Sequence, residues 1–164
     1  MIKTTDICDH FDAQVQIAEP LFTDYGGRTA FHGPISTVKV FEDNVLLRQA
    51  LEEPGAGRVL VVDGGGSLRH ALMGDMLADM GNKNGWAGVI IFGCIRDSKE
   101  ISDIDIGIKA LATMPLKSLK KGHGDRDITV RFAGVSFKAN HYLYADSDGL
   151  VICPSALHEK LAES

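Results

Sequence analysis

Long apolar runs are missing from this 164-residue chain. Nothing approaches the ~20 residues that a bilayer-spanning helix needs, so no membrane span is expected. Cysteine is scarce: Cys8, Cys94 and Cys153 are odd in number, widely spaced and without a CxxC pair. That pattern excludes a disulfide framework and a zinc knuckle, and each thiol reads as a small buried hydrophobe. Positive charge is also in deficit, with 17 Lys and Arg against 22 Asp and Glu and a formal net charge of −5. A broad electrostatic grip on nucleic acid is thereby excluded. The one basic run, Lys117 to Lys121 with Arg126 nearby, reads as a solvated loop. The six histidines form no HxH or HExxH pairing, and no GxSxG nucleophile turn occurs. The glycines Gly64 to Gly66 match neither GxGxxG nor the Walker pattern, so they read as a tight turn. The first ten residues lack the basic and apolar regions of a signal peptide, which makes the reducing cytoplasm the expected location.

What is present is an ordinary globular balance, 45% hydrophobic and 24% charged. Residues 1–164 are expected to form a single domain with a sizeable core. A short helix is predicted over Asp6 to Phe11 with Thr5 as its cap. The glycine- and proline-bearing stretch Glu19 to Pro34 reads as loop, and the β-branched alternation of Ile35 to Phe41 as a strand. Asp43 is the expected N-cap of a helix through Glu53. Arg58 to Val62 and Gly88 to Phe92 are continuous apolar runs, as in strands covered on both faces. Between them a helical pattern runs from Ser67 to Met80, pauses at Gly74, and ends at Gly81. This is a βαβ unit. Beyond residue 97 come short apolar pieces at Ile104 to Ile108, Ile128 to Phe132, Val135 to Phe137, Tyr142 to Tyr144 and Leu150 to Cys153. Ser155 is expected to cap a last short helix. The class is α/β, with a parallel βαβ core and additional antiparallel strands.

Two windows could carry chemistry. Arg96 and Asp97 follow the strand Gly88 to Phe92, at the carboxyl end where α/β sheets gather their sites. A carboxylate there can hold a hard divalent cation; taken alone, the pair is more simply a solvated ion pair. The second window is Gly74-Asp75-Met76-Leu77. Glycine is costly inside a helix, so a new helix starting there is one explanation, which frees the amides of Met76 and Leu77 for an anion. Close helix packing against Gly74, with Asp75 as a plain cap, is the other. Both windows lie near one end of the sheet. Together they would supply an anion-binding helix start, a guanidinium and a metal-binding carboxylate to one cleft, the equipment for making a pyruvate enolate.

Asp75, twenty residues, then Arg96-Asp97 resembles the Asp-X20-Arg-Asp signature of the metal-dependent 4-hydroxy-4-methyl-2-oxoglutarate aldolases. The wider chain is similar to the related regulators of ribonuclease E activity A. The matching stretches are Val15 to Phe22, Gly26-Gly27-Arg28, Val38 to Asn44, Arg58 to Leu68, Asp105 to Ile108 and Leu143 to Gly149. The resemblance covers nearly the whole chain. It implies a swivelling β/β/α domain assembled as a homotrimer or a dimer of trimers. It implies Asp97 as the ligand of Mg²⁺ or Mn²⁺, and Arg96 as the residue that binds substrate and steadies the enolate. Gly74, Asp75, Met76 and Leu77 would bind the pyruvyl carboxylate through their amides, with the Asp75 side chain aiding proton transfer through a metal-bound water. The implied reactions are retro-aldol cleavage of 4-hydroxy-4-methyl-2-oxoglutarate to pyruvate and decarboxylation of oxaloacetate, both through a metal-stabilised enolate. In longer aldolases a C-terminal acid completes a neighbouring subunit's site, and Glu159 and Glu163 are the acidic residues at that end here. The alternative the resemblance implies is a non-catalytic regulator that binds and inhibits ribonuclease E.

Overall fold

The computed structural model describes residues 1–161. In chain order its elements are α1 (Thr4–Phe11), β1 (Gln16–Ile17), β2 (Thr23–Asp24), β3 (Phe31–Lys39), α2 (Val45–Glu52), β4 (Val59–Asp63) and β5 (Ala71–Met73). There follow α3 (Asp75–Lys83), β6 (Gly88–Ile95), α4 (Ser98–Ile101), β7 (Gly107–Thr113), β8 (Asp125–Arg126), β9 (Val130–Phe132), β10 (Val135–Phe137), β11 (Tyr142–Asp146), β12 (Gly149–Cys153) and α5 (His158–Leu161). One large mixed sheet runs β1-β12-β11-β3-β4-β6-β7-β2, with β5 also paired to β6 and β8 to β3. Strands β3, β4, β6 and β7 are mutually parallel, and the flanking strands are antiparallel.

The apolar run of β4 explains the layering. Leu60 and Val62 point to one face, where they pack with Leu47 and Leu51 of α2 and Ala78 of α3. Val59 and Val61 point to the other, where they meet Phe31, Val130, Phe132 and Phe137 and the β9–β10 hairpin. All four β4 side chains are fully buried, as expected of a central parallel strand. Helices, sheet and hairpin therefore form the α and β layers of a swivelling β/β/α domain. No helix among the described residues is long and apolar enough to cross a membrane.

Several element boundaries differ from the sequence reading, each for a local reason. Residues 31–34 belong to β3, not to a loop. Gly33 is there for contact rather than for a turn, since a Cβ on it would lie 2.1 Å from the Gly57 carbonyl oxygen. Pro34 pairs with Tyr142 on the antiparallel side of that strand. The pattern read as one helix from Ser67 to Met80 is a turn, then the buried strand β5, then α3, because three apolar residues are too few to show an alternation. Gly81 lies inside α3 against Leu51 and Ile106, and Gly85, at φ +84°, takes the position after the C-cap Asn84. Asp43 does bond the first helical amide, that of Val45 at 3.1 Å, but from one residue before the cap, which is Asn44. Ser155 lies three residues before α5, where the amides of Leu157 and His158 donate to the Tyr144 hydroxyl; the Ser155 carbonyl accepts the Cys153 thiol.

Candidate functional site

Strand β6 is three residues longer than its apolar run suggested, and that extension builds the site. Along Gly88 to Phe92 it pairs with β4. Beyond Phe92 its neighbour on that side changes. β4 ends at Asp63, and the chain turns through Gly65 and Gly66, both at positive φ. The amides of Gly64 and Gly66 both donate to the Phe92 carbonyl. The chain then returns as β5, which pairs with Cys94 and Ile95 of β6. Two parallel strands thus end side by side, tied by the Arg96 amide donating to the Met73 carbonyl at 2.9 Å. Gly74-Asp75 leaves one strand and Arg96-Asp97 the other.

The contact between the two turns is tight. The Asp75 amide donates to Oδ2 of Asp97 at 3.1 Å. A Cβ on Gly74 would lie 2.5 Å from that same Oδ2 and 3.5 Å from Cγ of Arg96. Gly74 is extended, at φ −122° and ψ −166°, a conformation open to any residue. Space for the Asp97 carboxylate, rather than backbone freedom, is what requires glycine here. Asp97 itself sits in the left-handed region, at φ +57° and ψ +39°, and begins the short helix α4. Aspartate tolerates this region better than most residues, and such conformations concentrate at functional sites.

These residues open onto a cleft of about 130 Å³. Gly74, Asp75, Met76, Leu77, Arg96 and Asp97 all line it, so the structure brings every sequence-predicted site residue to one place. Helix α3 presents its N-terminus there. The Asp75 amide is taken by Asp97, and the Ala78 amide by the Gly74 carbonyl. Among the described residues no protein acceptor takes the Met76 or Leu77 amide, and the positive end of the helix dipole adds to their pull on an anion. Arg96 and Asp97, read from sequence as a possible ion pair, do not pair with each other; no carboxylate among the described residues neutralises Arg96. The guanidinium's one hydrogen bond among the described residues is a long 3.5 Å contact from Nη1 to the Pro115 carbonyl.

The donor set decides which metal the cleft suits. No three His, Cys, Asp or Glu side chains among the described residues converge as a cage. Asp97, with one oxygen on the Asp75 amide and the other uncommitted, and Asp75 beside it supply only oxygen. That fits a hard, largely hydrated cation such as Mg²⁺ or Mn²⁺ and does not fit a structural zinc. Glu159, at the other end of the chain, lies on α5 beside Tyr142 and Tyr144, outside the cleft lining. Glu163 is outside the described residues.

Sequence reasoning missed the cleft's other wall. Lys117, Ser118 and Lys120 line it, on a segment read as a solvated loop. The segment is in fact pinned. The Ala71 amide donates to the Leu116 carbonyl at 2.7 Å, and the Leu119 amide to the Glu42 carbonyl at 2.8 Å. The Ser118 hydroxyl donates to the Ala71 carbonyl at 2.7 Å. The buried Asp43 carboxylate accepts the Lys121 and Gly122 amides at 2.7 and 2.9 Å. Burial alone would raise the Asp43 carboxyl, but these bonds and the Val45 amide outweigh it and hold it below its ordinary value. The signal available in sequence was the pair Asp43 and Gly122, invisible without knowing that the two lie together.

An α/β domain with a cleft of free helix-start amides, a guanidinium and two carboxylates at the carboxyl edge of its parallel strands is the class these features define. The chain matches the Aldolase/RraA description over residues 4–152, and it belongs to that RraA-like family. It is 58% identical over 156 residues to a protein of Alkalilimnicola ehrlichii provisionally named 4-hydroxy-4-methyl-2-oxoglutarate aldolase, covering 95% of this chain and 97% of that one. A solved structure from Geobacillus kaustophilus HTA426, named as an S-adenosylmethionine:2-dimethylmenaquinone methyltransferase, superposes with a TM-score of 0.95 at 52% identity, over 96% and 98% of the two chains. The RNA-processing inhibitor RraA of Thermus thermophilis superposes with a TM-score of 0.92 at 44% identity, over 94% of each chain. Three names on one fold mean that the chemistry must be argued from the site.

Proposed function

We propose that this protein is a divalent-metal-dependent lyase of small 2-oxo acids. It cleaves 4-hydroxy-4-methyl-2-oxoglutarate to two pyruvates and decarboxylates oxaloacetate to pyruvate and carbon dioxide. The observation that carries the reading is the convergence in one cleft of an un-neutralised guanidinium, two free helix-start amides and an aspartate with an uncommitted oxygen. The aldolase name of relatives more than half identical supports it.

The residues divide the work as follows. The Met76 and Leu77 amides hold the carboxylate next to the 2-oxo group. Arg96 faces the 2-oxo oxygen and stabilises the negative charge that grows there as the carbon–carbon bond breaks; preorganised charge of this kind lowers barriers by several kcal/mol, of order 10²–10³ in rate. Asp97 holds the cation, with Asp75 close by. When bound, Mg²⁺ or Mn²⁺ acts as a Lewis acid that draws electron density from the 2-oxo group. The half-buried Asp75 carboxylate accepts no hydrogen bond among the described residues and is placed to hold a water and move a proton: from the 4-hydroxyl in the aldol cleavage, then to the methylene carbon of the pyruvate enolate. Exposed Met76, Leu116 and Leu119 at and beside the cleft suit closure by a neighbouring copy in a trimer or pair of trimers.

The test is oxaloacetate decarboxylation with Mg²⁺, with and without chelator, corrected for the enzyme-free rate. Wild type should show chelator-sensitive turnover and Asp97→Ala almost none. No metal-dependent turnover in the wild type, or full activity in the variant, ends the proposal. The likeness to the Thermus inhibitor favours a second reading, a regulator of ribonuclease E, which is tested by titrating the protein into a ribonuclease E cleavage reaction. Cleavage unchanged at saturation would reject it.

A further inference from the structure

Apart from Asp75 and Asp97, the aspartates assigned above to the cation, the cleft is lined by more cationic side chains than one substrate carboxylate needs. Arg96, Lys117 and Lys120 line it, and none of them pairs with a carboxylate among the described residues. Arg48 also lines it but is engaged by Glu52 at 3.1 Å. Lysines on a mobile loop would mean little. These two stand on a strap fixed by hydrogen bonds with Ala71, Glu42, Asn44 and Asp43, and with the His70 ring at the carbonyl of Lys117 itself. Ser118 between them is buried, which sets the strap's facing.

The strap's place relative to Arg96 follows from the pairing. Ala71 of β5 pairs with Cys94 of β6 and bridges to Lys117 of the strap. Strand β5 therefore lies between β6 and the strap. Two strand spacings, about 10 Å, separate the backbone that carries Arg96 from the backbone that carries Lys117. A single carboxylate held by Arg96 and the α3 amides leaves the lysines unanswered. An extended dicarboxylate reaches both.

We propose that Lys117 and Lys120 form a subsite for the distal carboxylate of a dicarboxylic 2-oxo acid, a specificity device that rests on the reading of the cleft as a 2-oxo acid site. It selects diacids over monoacids of the same length, and the Asp43 anchor of the strap is what positions it. The reacting end of the substrate stays on Arg96 and the α3 amides.

Equilibrium binding separates this from the reaction itself. By calorimetry in the presence of Mg²⁺, 2-oxoglutarate and 2-oxopentanoate are compared, two unbranched five-carbon 2-oxo acids that differ in the distal carboxylate. Wild type should prefer the diacid by about tenfold or more, the scale of one charge-assisted hydrogen bond. The Lys117→Gln/Lys120→Gln double variant should bring the two ligands within about twofold. Lys121→Gln, on the same strap but outside the cleft lining, should keep the preference. A wild type with no preference or no binding, or a double variant that retains the preference, overturns the subsite. A wild type that shows this selectivity yet cleaves no 4-hydroxy-4-methyl-2-oxoglutarate supports the subsite and removes the proposed reaction.

Discussion

Gly74→Ala is the sharpest perturbation the cleft offers, because it adds one carbon where the two turns touch. The backbone there is extended, so alanine meets no conformational strain. The new Cβ would stand 2.5 Å from Oδ2 of Asp97, while ordinary contact begins at 3.4 Å. The carboxylate must retreat by about 1 Å. Arg96, whose Cγ and Nε lie 3.5 and 3.6 Å from the same point, has no slack on that side either. Losing the Asp75 amide bond to Asp97 costs about 0.5–1.5 kcal/mol of stability. A misplacement of about 1 Å at a reacting centre costs about 10²-fold in rate, or roughly 2.7 kcal/mol of barrier. The expected variant is therefore folded, melts a few degrees lower, and has a kcat/KM for oxaloacetate reduced about a hundredfold. Thermal unfolding and steady-state decarboxylation measure both quantities on one preparation. Full activity in Gly74→Ala would refute the argument that the Asp97 carboxylate must sit against position 74. Loss of the fold would refute the claim that the glycine serves space rather than backbone conformation.

Arg96→Lys keeps the charge but loses the planar fork, and kcat should drop by about 10² with KM changed less; equal kinetics would remove Arg96 from the reacting centre. Asp43→Asn weakens the strap anchor and should cost about 1–3 kcal/mol in denaturant unfolding at pH 7. Because the folded Asp43 carboxyl lies below its ordinary value of 3.8, its contribution is in place above that value and is lost as pH falls through the folded one; the variant should flatten that acid limb. His32, whose Nδ1 lies 2.7 Å from the Tyr142 hydroxyl, has its pKa lowered by burial and then by His158. The folded state favours neutral His32, so stability should decline as pH falls below 6.5, and His32→Asn should lessen the difference between unfolding midpoints at pH 7.5 and 5.5.

Much of the architecture was legible because the central strands carry their burial in their composition. Val59 to Val62 and Val89 to Ile91 are β-branched or leucine throughout, and all are fully buried. The candidate site was legible for a different reason: Gly74 marks a helix start before Asp75, Arg96-Asp97 follow a strand at the same edge of a βαβ unit, and the spacing of the two windows resembles a family signature. What stayed hidden depends on neighbours far apart in sequence. Gly33 and Pro34 looked like turn residues but serve contacts far along the chain, with the turn at Gly57 and with Tyr142 of β11. Strand β5 has only three residues, so no periodicity could separate it from the helix that follows. The strap's lysines are exposed, as read, but their fixed placement stayed hidden because the carboxylate that anchors the strap, Asp43, lies 78 residues from Lys121.

The hand-over from β4 to β5 along β6 has a consequence for how this scaffold can vary. The upper end of β6 borrows its partner from a separate segment, so the depth and tilt of the recess depend both on the bend at residues 64–70 and on how β5 seats Leu72 and Met73 in the core. Lengthening or trimming that bend should reshape what the recess admits, and the unfolding midpoint should hold only where β5 keeps its seat. Relatives that share the interior are thus at liberty to diverge in what the recess admits.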